Sequence, residues 1–324
     1  MTVEIQPVVR PAAGRMSAVV VDLLRRVLPR PAQPVADRLD VRDRVVVITG
    51  AGTGIGRALA EKLYASGASV ALIDIDEAAA AAVARSMGER ALVVRANVSD
   101  RIGMRQAISR VRERFGRIDV VVANAGVVPE PATIRTMNPG DFDRVIGINL
   151  TGVFNTVHPA LDDIVAANGH VVVVSSAAAF APGMGGSPYM VSKAAVEQFG
   201  RALRVELAAV GATAGVAYFG VVDTAMTRGT LDEDELGADL GALLPWPLNQ
   251  RITVRDAADS LAEGIARRAP RTVAPPQWEP YALLRGVINV VLDGRLARDP
   301  RVHDLIHRVE QRRIAGHPVT PVPR

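Results

Sequence analysis

Cysteine is absent from this chain of 324 residues. Its absence excludes disulfide bonds, thiolate catalysis and cysteine-bound zinc, and it says little about the cellular compartment. Aromatic residues make up only 4% of the chain, whereas apolar residues make up 49%. We therefore expect a core built from alanine, valine, leucine and isoleucine, and no disorder over most of the chain.

Long hydrophobic runs are also missing. No stretch reaches the roughly 18 apolar residues of a membrane-spanning helix, and the apolar run 16–24 lacks the pattern of a signal peptide. The net charge is only +4, and no basic stripe interleaved with aromatic residues is present. The composition predicts a cytoplasmic protein that has no nucleic-acid partner.

Short apolar runs alternate with helical patterns between residues 44 and 275. Strands are predicted at 45–48, 70–73, 91–94, 120–123, 171–175, 214–218 and 272–273. Helices are predicted at 57–66, 77–87, 101–115, 141–164, 189–209 and 257–267. This alternation is typical of a parallel sheet covered on both faces. The predicted fold class is α/β, a doubly wound parallel sheet of the Rossmann type.

Two predicted helical extensions flank this alternation. The first, 1–40, is proline-rich around one amphipathic helix at 16–28. The last, 276–324, is predicted to form two helices joined around Asp299-Pro300. The predicted dinucleotide-binding catalytic domain is therefore 41–275. The run before Arg25-Arg26 suits either peripheral contact with an anionic membrane or packing on the protein itself.

The pair Tyr189 and Lys193 is the most informative feature of the sequence. Residues four apart on a helix share one face. A phenol, with a pKa of about 10, is a poor base at neutral pH, but a neighbouring ammonium favours its ionised form. Only two of the 38 basic residues are lysines, so this lysine indicates a need for a compact ammonium. Taken alone, a structural tyrosine and a solvated lysine are the commoner explanation.

A glycine-rich segment, 49–56, directly follows the first predicted strand and opens a helix. Its sequence is Thr-Gly-Ala-Gly-Thr-Gly-Ile-Gly. Glycines there permit a tight turn and close approach of the backbone to a pyrophosphate, which the helix N-terminus favours. Asp74 ends the second strand, where a carboxylate accepts both ribose hydroxyls of NAD and repels a 2′-phosphate. The alternative is that Asp74 caps the next helix, for which Asp76 is the better candidate.

With these motifs the chain resembles the short-chain dehydrogenase/reductase family over about residues 41–275. The resemblance rests on the glycine loop, on the run Ala123-Asn124-Ala125-Gly126, on Asn149, and on Ser176 with Tyr189 and Lys193. It implies an oxidoreductase with a seven-stranded sheet, assembled as a homodimer or homotetramer. It implies that Tyr189 is the general acid and base, and that Ser176 binds the same substrate oxygen.

The resemblance also implies the remaining roles. Lys193 would lower the pKa of the tyrosine and hold the nicotinamide ribose, and Asn149 would anchor a water linked to the lysine. The catalytic residues are then Asn149, Ser176, Tyr189 and Lys193. The cofactor-binding residues are Gly50, Thr53, Gly54, Ile55, Gly56, Asp74, Asn97, Val98, Asn124, Ala125, Gly126, Tyr189, Lys193 and Thr224.

Three positions depart from the family pattern. Phe219-Gly220 stands where the family usually has Pro-Gly, so the loop over the nicotinamide is expected to sit differently. Asn97 replaces an acidic residue, and Ala123 replaces an asparagine. None of these changes removes a catalytic group. Ser175 adjoins Ser176, and only the spacing to Tyr189 favours the latter.

Other features were weighed against simpler explanations. His303 and His307, four apart, lack an evident third ligand, so no metal site is predicted. The acidic run 232–235 is interpreted as a mobile, solvated segment that begins a helix. An apolar lid over the substrate is predicted from four side chains. These are Met184, Leu243, Leu244 and Trp246.

The function predicted from the sequence is an NAD-dependent oxidoreductase that interconverts an alcohol and a ketone or aldehyde on a hydrophobic small molecule. NADP is the less favoured cofactor. Two alternatives remain open: an NADP-dependent carbonyl reductase, and a catalytically silent protein that binds a nucleotide for regulation.

Overall fold

The computed structural model describes residues 38–180, 182–243 and 249–316. Nine strands are described in this part of the chain. They are β1 (Val45–Thr49), β2 (Ser69–Asp74), β3 (Ala91–Arg95), β4 (Val120–Ala123), β5 (His170–Val174), β6 (Thr213–Phe219), β7 (Val221–Val222), β8 (Arg251–Ile252) and β9 (Arg271–Ala274). The predicted amphipathic helix at 16–28 lies outside the described residues.

Twelve α-helices accompany these strands in the described ranges. They are α1 (Gly54–Ala65), α2 (Glu77–Ala84), α3 (Arg101–Phe115), α4 (Pro139–Ile146), α5 (Gly152–Val157), α6 (Leu161–Ala166), α7 (Ser187–Ala208), α8 (Ala225–Leu231), α9 (Glu235–Ala242), α10 (Val254–Ala266), α11 (Glu279–Leu296) and α12 (Pro300–Gly316). The two predicted C-terminal helices are α11 and α12, and they meet at Pro300 as expected.

Seven strands form one parallel sheet in the order β3-β2-β1-β4-β5-β6-β9. The strand order reverses between β1 and β4, which is the place where a doubly wound sheet opens a crevice at its carboxyl edge. The predicted Rossmann-type fold is therefore confirmed. Strands β7 and β8 pair separately, beyond the end of β6.

Alternate residues of each central strand enter different cores. In β1, Val45 and Val47 pack on the side of α3 and α7, whereas Val46 and Ile48 pack on the side of α1 and α10. All four are almost completely buried. A strand buried on both faces reads as a continuous aliphatic run, which explains why the sequence located the strands well.

One predicted helix is wrong. The segment 141–164 was expected to be continuous, but it is divided into α4, a π-helical turn at Gly147–Thr151, α5, a 3-10 turn at His158–Ala160, and α6. The π turn widens the helix and places Asn149 at its centre, completely buried. Proline in the 3-10 turn separates α5 from α6. The interruption therefore places a polar side chain inside the protein.

Helix α11 and the turn before it pack on the same core as the sheet, whereas Leu305 and Val309 of α12 belong to a separate apolar cluster. Trp278 and Tyr281 are buried in the cluster that contains Phe180 and Tyr218, with ring centroids 5.0–6.4 Å apart. At the other end, Leu39 is buried on the opposite face, and its N–H donates to Ala266 O at 2.8 Å. The divisions after residues 40 and 275 stay predictions.

Candidate active site

The glycine loop between β1 and α1 has a conformation that larger residues do not adopt. Gly50 and Gly54 have φ angles of +64° and +53°, in the left-handed region that favours glycine. A Cβ on Gly56 would lie 2.1 Å from the carbonyl oxygen of Gly50 and 2.7 Å from Nδ2 of Asn124. The loop therefore needs glycine at these positions, and the first turn of α1 presents free N–H groups beside it.

Asp74 ties this loop to the end of β2. Its Oδ2 accepts a hydrogen bond from Gly52 N at 2.8 Å, and its Oδ1 accepts one from Asp76 N at 3.0 Å. The cap of α2 is Asp76, whose carboxylate accepts from Ala79 N at 3.0 Å. The capping role weighed for Asp74 thus belongs to Asp76, and the Asp74 carboxylate stands beside the glycine loop.

Thr49 links the glycine loop to β4, and sequence reasoning missed this role. Its hydroxyl accepts hydrogen bonds from Asn124 N at 3.1 Å and from Ala125 N at 3.2 Å. The Asn124 side chain donates in return to Thr49 O at 3.0 Å. A hydroxyl residue that ends an otherwise aliphatic strand was the available signal.

Three predicted site residues from different motifs meet at Gly126. A Cβ there would lie 3.3 Å from Asn149 Oδ1 and 3.4 Å from Lys193 Nζ. The Asn149 amide accepts from Val127 N at 2.8 Å and donates to Val127 O at 2.9 Å and to Ser192 Oγ at 3.0 Å. Its side chain clamps α7 to the segment after β4. Its expected role in anchoring a water stays a prediction.

Ser176, Tyr189 and Lys193 are brought together by β5 and the first turns of α7. Burial raises the pKa of Tyr189, and the Ser176 side chain lowers that pKa by less, so the net shift is upward. The Lys193 ammonium lies 5.6 Å from the Tyr189 ring centroid and donates to Val174 O at 2.9 Å. Burial lowers the pKa of Lys193 to about 8.

The direction of the tyrosine shift corrects the sequence interpretation. The spacing of Tyr189 and Lys193 predicted a phenol with a lowered pKa. In the fold, the cost of placing a phenolate among buried groups outweighs the favourable interactions. The phenol is therefore protonated at neutral pH, and Lys193 retains its charge in most molecules below pH 8.

The two adjacent serines have different partners. Ser175 is buried, and its hydroxyl donates to the backbone carbonyl of Lys193 at 2.7 Å, which fixes α7 to β5. The Ser176 hydroxyl donates to Phe219 O at 3.3 Å, and the Ser176 side chain lowers the pKa of Tyr189. These different partners favour Ser176 over Ser175 as the serine that acts with Tyr189, as the spacing predicted.

The segment Phe219-Gly220 lies next to the residues that lead into α11, and its different position over the nicotinamide stays a prediction. Gly220 N donates to Ala274 O at 2.9 Å, and a Cβ on Gly220 would lie 2.4 Å from Trp278 Nε1. The side chain of Phe219 is buried in the core. The loop after β6 is therefore held between Ser176 and the residues that lead into α11.

The other predicted cofactor-binding residues have varied surroundings. Thr224 caps α8, accepting from Thr227 N at 3.1 Å, and its methyl group lies 3.7 Å from a Cβ built on Gly54. Asn97 is exposed, and its side chain accepts from Ser99 N at 3.0 Å. Val98 is buried against Gly152, whereas Thr53 is exposed and Ile55 half-buried.

A small apolar cluster joins α9 and α12 to the segment between Ser176 and Tyr189. We call it the roof cluster, and it consists of Met184, Leu236, Leu243, Leu305 and Val309. Two of the predicted lid residues, Met184 and Leu243, belong to it. The other two, Leu244 and Trp246, lie outside the described residues.

The acidic run is largely solvent-exposed, as predicted, since Asp232, Glu233 and Glu235 are exposed, but it also forms ion pairs. Its mobility stays a prediction. Asp232 pairs with Arg251, Asp234 with Arg312 and Glu235 with Arg308. The predicted helix start is present, because Asp234 Oδ1 accepts from Leu236 N at 3.0 Å just before α9. The run is an ion-paired helix start.

Metal ligands do not cluster in the described parts of the chain. There, no group of three histidine or acidic side chains has a geometry that could hold a metal ion. His303 and His307 are exposed on α12. Among the described helices, none has the length and apolarity needed to cross a bilayer.

Comparisons with known proteins agree with this architecture. The family model described as short chain dehydrogenase matches residues 44–235. A 2-(R)-hydroxypropyl-CoM dehydrogenase from Xanthobacter autotrophicus is 32% identical over 68% of this chain and 91% of its own length. A cis-4-hydroxycyclohexanecarboxylate dehydrogenase from Sinomonas cyclohexanicum is 34% identical over 68% of this chain and 88% of its own length.

A solved structure shares the fold. It is a short-chain dehydrogenase/reductase from Burkholderia phymatum in complex with NAD, 25% identical to this chain, with a TM-score of 0.68. The match covers 81% of this chain and 98% of that one.

Proposed function

Because the chain belongs to the short-chain dehydrogenase family, whose members are NAD(P)-dependent oxidoreductases acting on CH–OH groups, we propose that it uses NAD to interconvert an alcohol and a ketone or aldehyde on a hydrophobic substrate. The observation that carries this proposal is the meeting of Ser176, Tyr189 and Lys193 beside Gly126. Ser176 follows β5, whereas Tyr189 and Lys193 lie on the first turns of α7, at the carboxyl edge of the sheet.

Proton transfer at the substrate oxygen is assigned to Tyr189. A bound nicotinamide supplies or accepts the hydride. In reduction, the Tyr189 hydroxyl gives its proton to the substrate oxygen, and its raised pKa keeps that proton available at neutral pH. In oxidation the deprotonated Tyr189, a phenolate, takes the proton of the substrate hydroxyl, and the charge of Lys193 favours that phenolate. Ser176 donates a hydrogen bond to the same oxygen and stabilises developing charge.

The cofactor cradle fits a dinucleotide. The backbone at Gly50, Gly54 and Gly56 leaves room for a pyrophosphate because no Cβ fills the loop. Asp74 stands next to the loop with a carboxylate that suits two ribose hydroxyls and opposes a 2′-phosphate. The Burkholderia phymatum relative, solved with NAD, supports the same preference. These features favour NAD over NADP.

Replacement of Asp74 tests the cofactor preference. Asp74→Asn keeps an acceptor for Gly52 N and removes the negative charge. We expect the ratio of kcat/KM with NAD to kcat/KM with NADP to fall at least tenfold, measured by absorbance of the reduced cofactor. Asp76→Asn, two residues away on the exposed cap, is the matched control. An unchanged ratio in Asp74→Asn would contradict the assignment.

The apolar roof cluster supports a hydrophobic substrate. Its members follow the site motifs along the chain: Met184 lies between Ser176 and Tyr189, and Leu236 lies twelve positions beyond Thr224. The two curated relatives are named for different hydroxy compounds, so their names do not agree on one substrate. The substrate class is therefore proposed from the roof cluster of this chain.

The decisive experiment replaces the proton donor. Tyr189→Phe removes one oxygen atom, and we expect kcat to fall at least about a thousandfold, within the range of acid–base catalysis and the loss of a hydrogen bond to the oxygen. Binding of NAD, measured by calorimetry, should change less than threefold. Turnover of a panel of hydrophobic alcohols by Tyr189→Phe at the wild-type rate would overturn the mechanism.

The alternative of a silent nucleotide-binding regulator is tested by the same measurements. It predicts that the wild-type chain binds NAD and turns over no alcohol or ketone. Assembly as a homodimer or homotetramer, a cytoplasmic location and contact with a membrane surface stay predictions. Light scattering tests the first, and co-sedimentation of the full chain with anionic vesicles tests the last.

A further inference from the structure

Helix α12 contacts all three segments that follow the candidate site motifs. Its Arg312 forms two hydrogen bonds with Asp234, at 2.8 and 2.7 Å, and its Arg308 pairs with Asp239 at 2.7 Å. Both acids belong to the lid, which we define as residues 223–243 and which contains α8 and α9. These contacts join the end of the chain to the segment that begins at the Thr224 cap.

A second set of contacts joins α12 to the segment after Gly126. Glu310 accepts a hydrogen bond from the Thr133 hydroxyl at 2.8 Å and pairs with Arg135. Arg313 pairs with Glu130 at 2.9 Å and donates to Pro131 O at 3.3 Å. One helix thus pairs with the lid through some charged residues and with the segment after β4 through others.

The apolar face of α12 completes the contact. Val302, Leu305 and Val309 are 1–4% exposed, at the spacing of one helix face. Leu305 and Val309 pack with Leu236 of the lid and with Met184, which lies between Ser176 and Tyr189. The helix therefore touches the third segment through the roof cluster.

Besides α12, the lid is held near its start, where Asp223 N donates to Ile252 O at 2.9 Å, and by the pair of Asp232 with Arg251. None of the residues of α8 is buried, and α9 has eight residues. Helices this short are not stable alone in water, so their order comes from what they pack against. A groove of about 820 Å³ between the start of α9 and α12 is lined by the paired side chains, including Asp234, Arg308 and Arg312.

We propose that α12 is the positioning element of the lid: the Arg312–Asp234 and Arg308–Asp239 pairs hold α9 against the roof cluster and thereby close the substrate cleft. Arg312 and Arg308 are positioning residues, and neither takes part in the chemistry. Arg312 contributes most, because its planar fork makes a bidentate pair with a carboxylate. The consequence for substrate affinity rests on the proposed function, whereas the mechanical role does not.

Hydrogen exchange of the full chain tests the mechanical role. We expect Arg312→Gln to increase the exchange rate of the amides of α9 at least tenfold and to leave α1 and α10 unchanged. Arg312→Lys keeps the charge but loses the fork, and it should give an intermediate increase. Arg301→Gln is the matched control, because Arg301 lies on the same helix and pairs with Asp299 near its start.

Two outcomes would overturn the proposal. One is unchanged exchange in α9 of Arg312→Gln. The other is an equal increase across the whole protein, because that would make α12 a general stabilising element. Thermal unfolding of each variant shows whether the fold is intact.

A kinetic measurement separates this proposal from the proposed function. With NAD and cyclohexanol as the probe, Arg312→Gln should raise KM at least fivefold, change kcat less than twofold and leave NAD binding unchanged. A wild-type chain that turns over no alcohol would refute the proposed function. The exchange result would still decide whether α12 positions the lid.

Discussion

The glycine loop and the lid flank the same candidate site, yet different interactions hold them. The loop is fixed by backbone geometry and by neighbours on adjacent strands, such as Thr49 with Asn124. The lid is fixed by side chains from a distant part of the chain, since Arg312 is 78 residues from Asp234. The Arg312 side chain is 46% exposed and that of Asp234 is 17% exposed.

This difference teaches which part of the site tolerates change. Backbone contacts in a buried loop have no alternative partner, so a substitution there distorts the cofactor cradle. Partly exposed ion pairs are screened by salt and can be broken one at a time. Segments held in this way open at a lower free energy than the core does. We therefore expect a rigid cofactor half and a mobile substrate half.

The largest expected effect on stability follows from the loss of a buried carboxylate, that of Asp119. Asp119 is 1% exposed, accepts from Val45 N at 3.0 Å, and pairs with Arg44 at 2.8 Å and with Arg117 at 2.6 Å. Asp119→Ala leaves a buried N–H unpaired and removes three charge-assisted hydrogen bonds from Arg44 and Arg117, which should lower the free energy of unfolding by about 3 kcal/mol. Urea denaturation measures this loss in the free energy of unfolding.

The control for this substitution lies in the lid. Asp223 pairs with Arg228 at 2.6 Å, and both side chains are about half exposed. Asp223→Ala should lower the free energy of unfolding by less than about 1 kcal/mol, as exposed pairs do. Equal losses in the two variants would contradict the contrast between the core and the lid.

A second comparison uses two glycines. Gly56→Ala places a Cβ 2.1 Å from Gly50 O, so the loop must shift. We expect the Kd for NAD to rise about a hundredfold, which corresponds to about 2.7 kcal/mol. In Gly229→Ala, a Cβ in α8 meets nothing within 4 Å, so Kd should stay within twofold. Isothermal calorimetry measures both, and a small effect at Gly56 would break the comparison.

The smallest expected effect is a loss of stability at acidic pH that His170 causes. His170 is completely buried at the start of β5, with Nδ1 2.9 Å from Thr213 Oγ1. Burial, with the charges of Arg268 and Arg204, lowers its pKa to about 3. The unfolded chain, with a histidine pKa of about 6.5, then binds the proton first. Stability is therefore highest above pH 6.5 and falls as the pH decreases toward 3.

Between pH 7 and 5, this linkage should lower the free energy of unfolding by about 2 kcal/mol. His170→Gln should reduce that loss, and His303→Gln, at an exposed position on α12, should not. Two acidic groups that join α12 to its neighbours keep their charge in this range: Arg312 lowers the pKa of Asp234 in the lid, and Arg135 and Thr133 lower the pKa of Glu310 on α12 to about 2. If hydrogen exchange showed the lid opening at pH 5, the expectation that acid weakens the core before it breaks the ion pairs of α12 would be contradicted.

Much of the cofactor half was predictable from sequence. Buried parallel strands are continuous aliphatic runs, so the seven predicted strands differ from those of the sheet by only one or two residues at their ends. Glycines with positive φ lie where the motif placed them. The capping of α2 by Asp76 was predicted from the position of this residue just before the helix. These features depend on neighbours close in the chain or on strand burial, which the sequence displays.

The features that the sequence did not predict depend on partners that are distant along the chain. The helix at 141–164 is broken because Asn149 reaches Val127 and Ser192, which are 22 and 43 residues away. The acidic run is ion-paired because Arg251, Arg308 and Arg312 come from later elements. No local pattern reports such pairings.

The sequence alone determined the sheet, the loop that suits a dinucleotide, and the identity of the residues proposed for proton transfer, since each is written in short-range spacing and burial. Only the tertiary structure decided the protonation of Tyr189 and the position of the lid. The charge of a phenol depends on everything that surrounds it, and a pair of short helices takes its place from the helix that packs upon it.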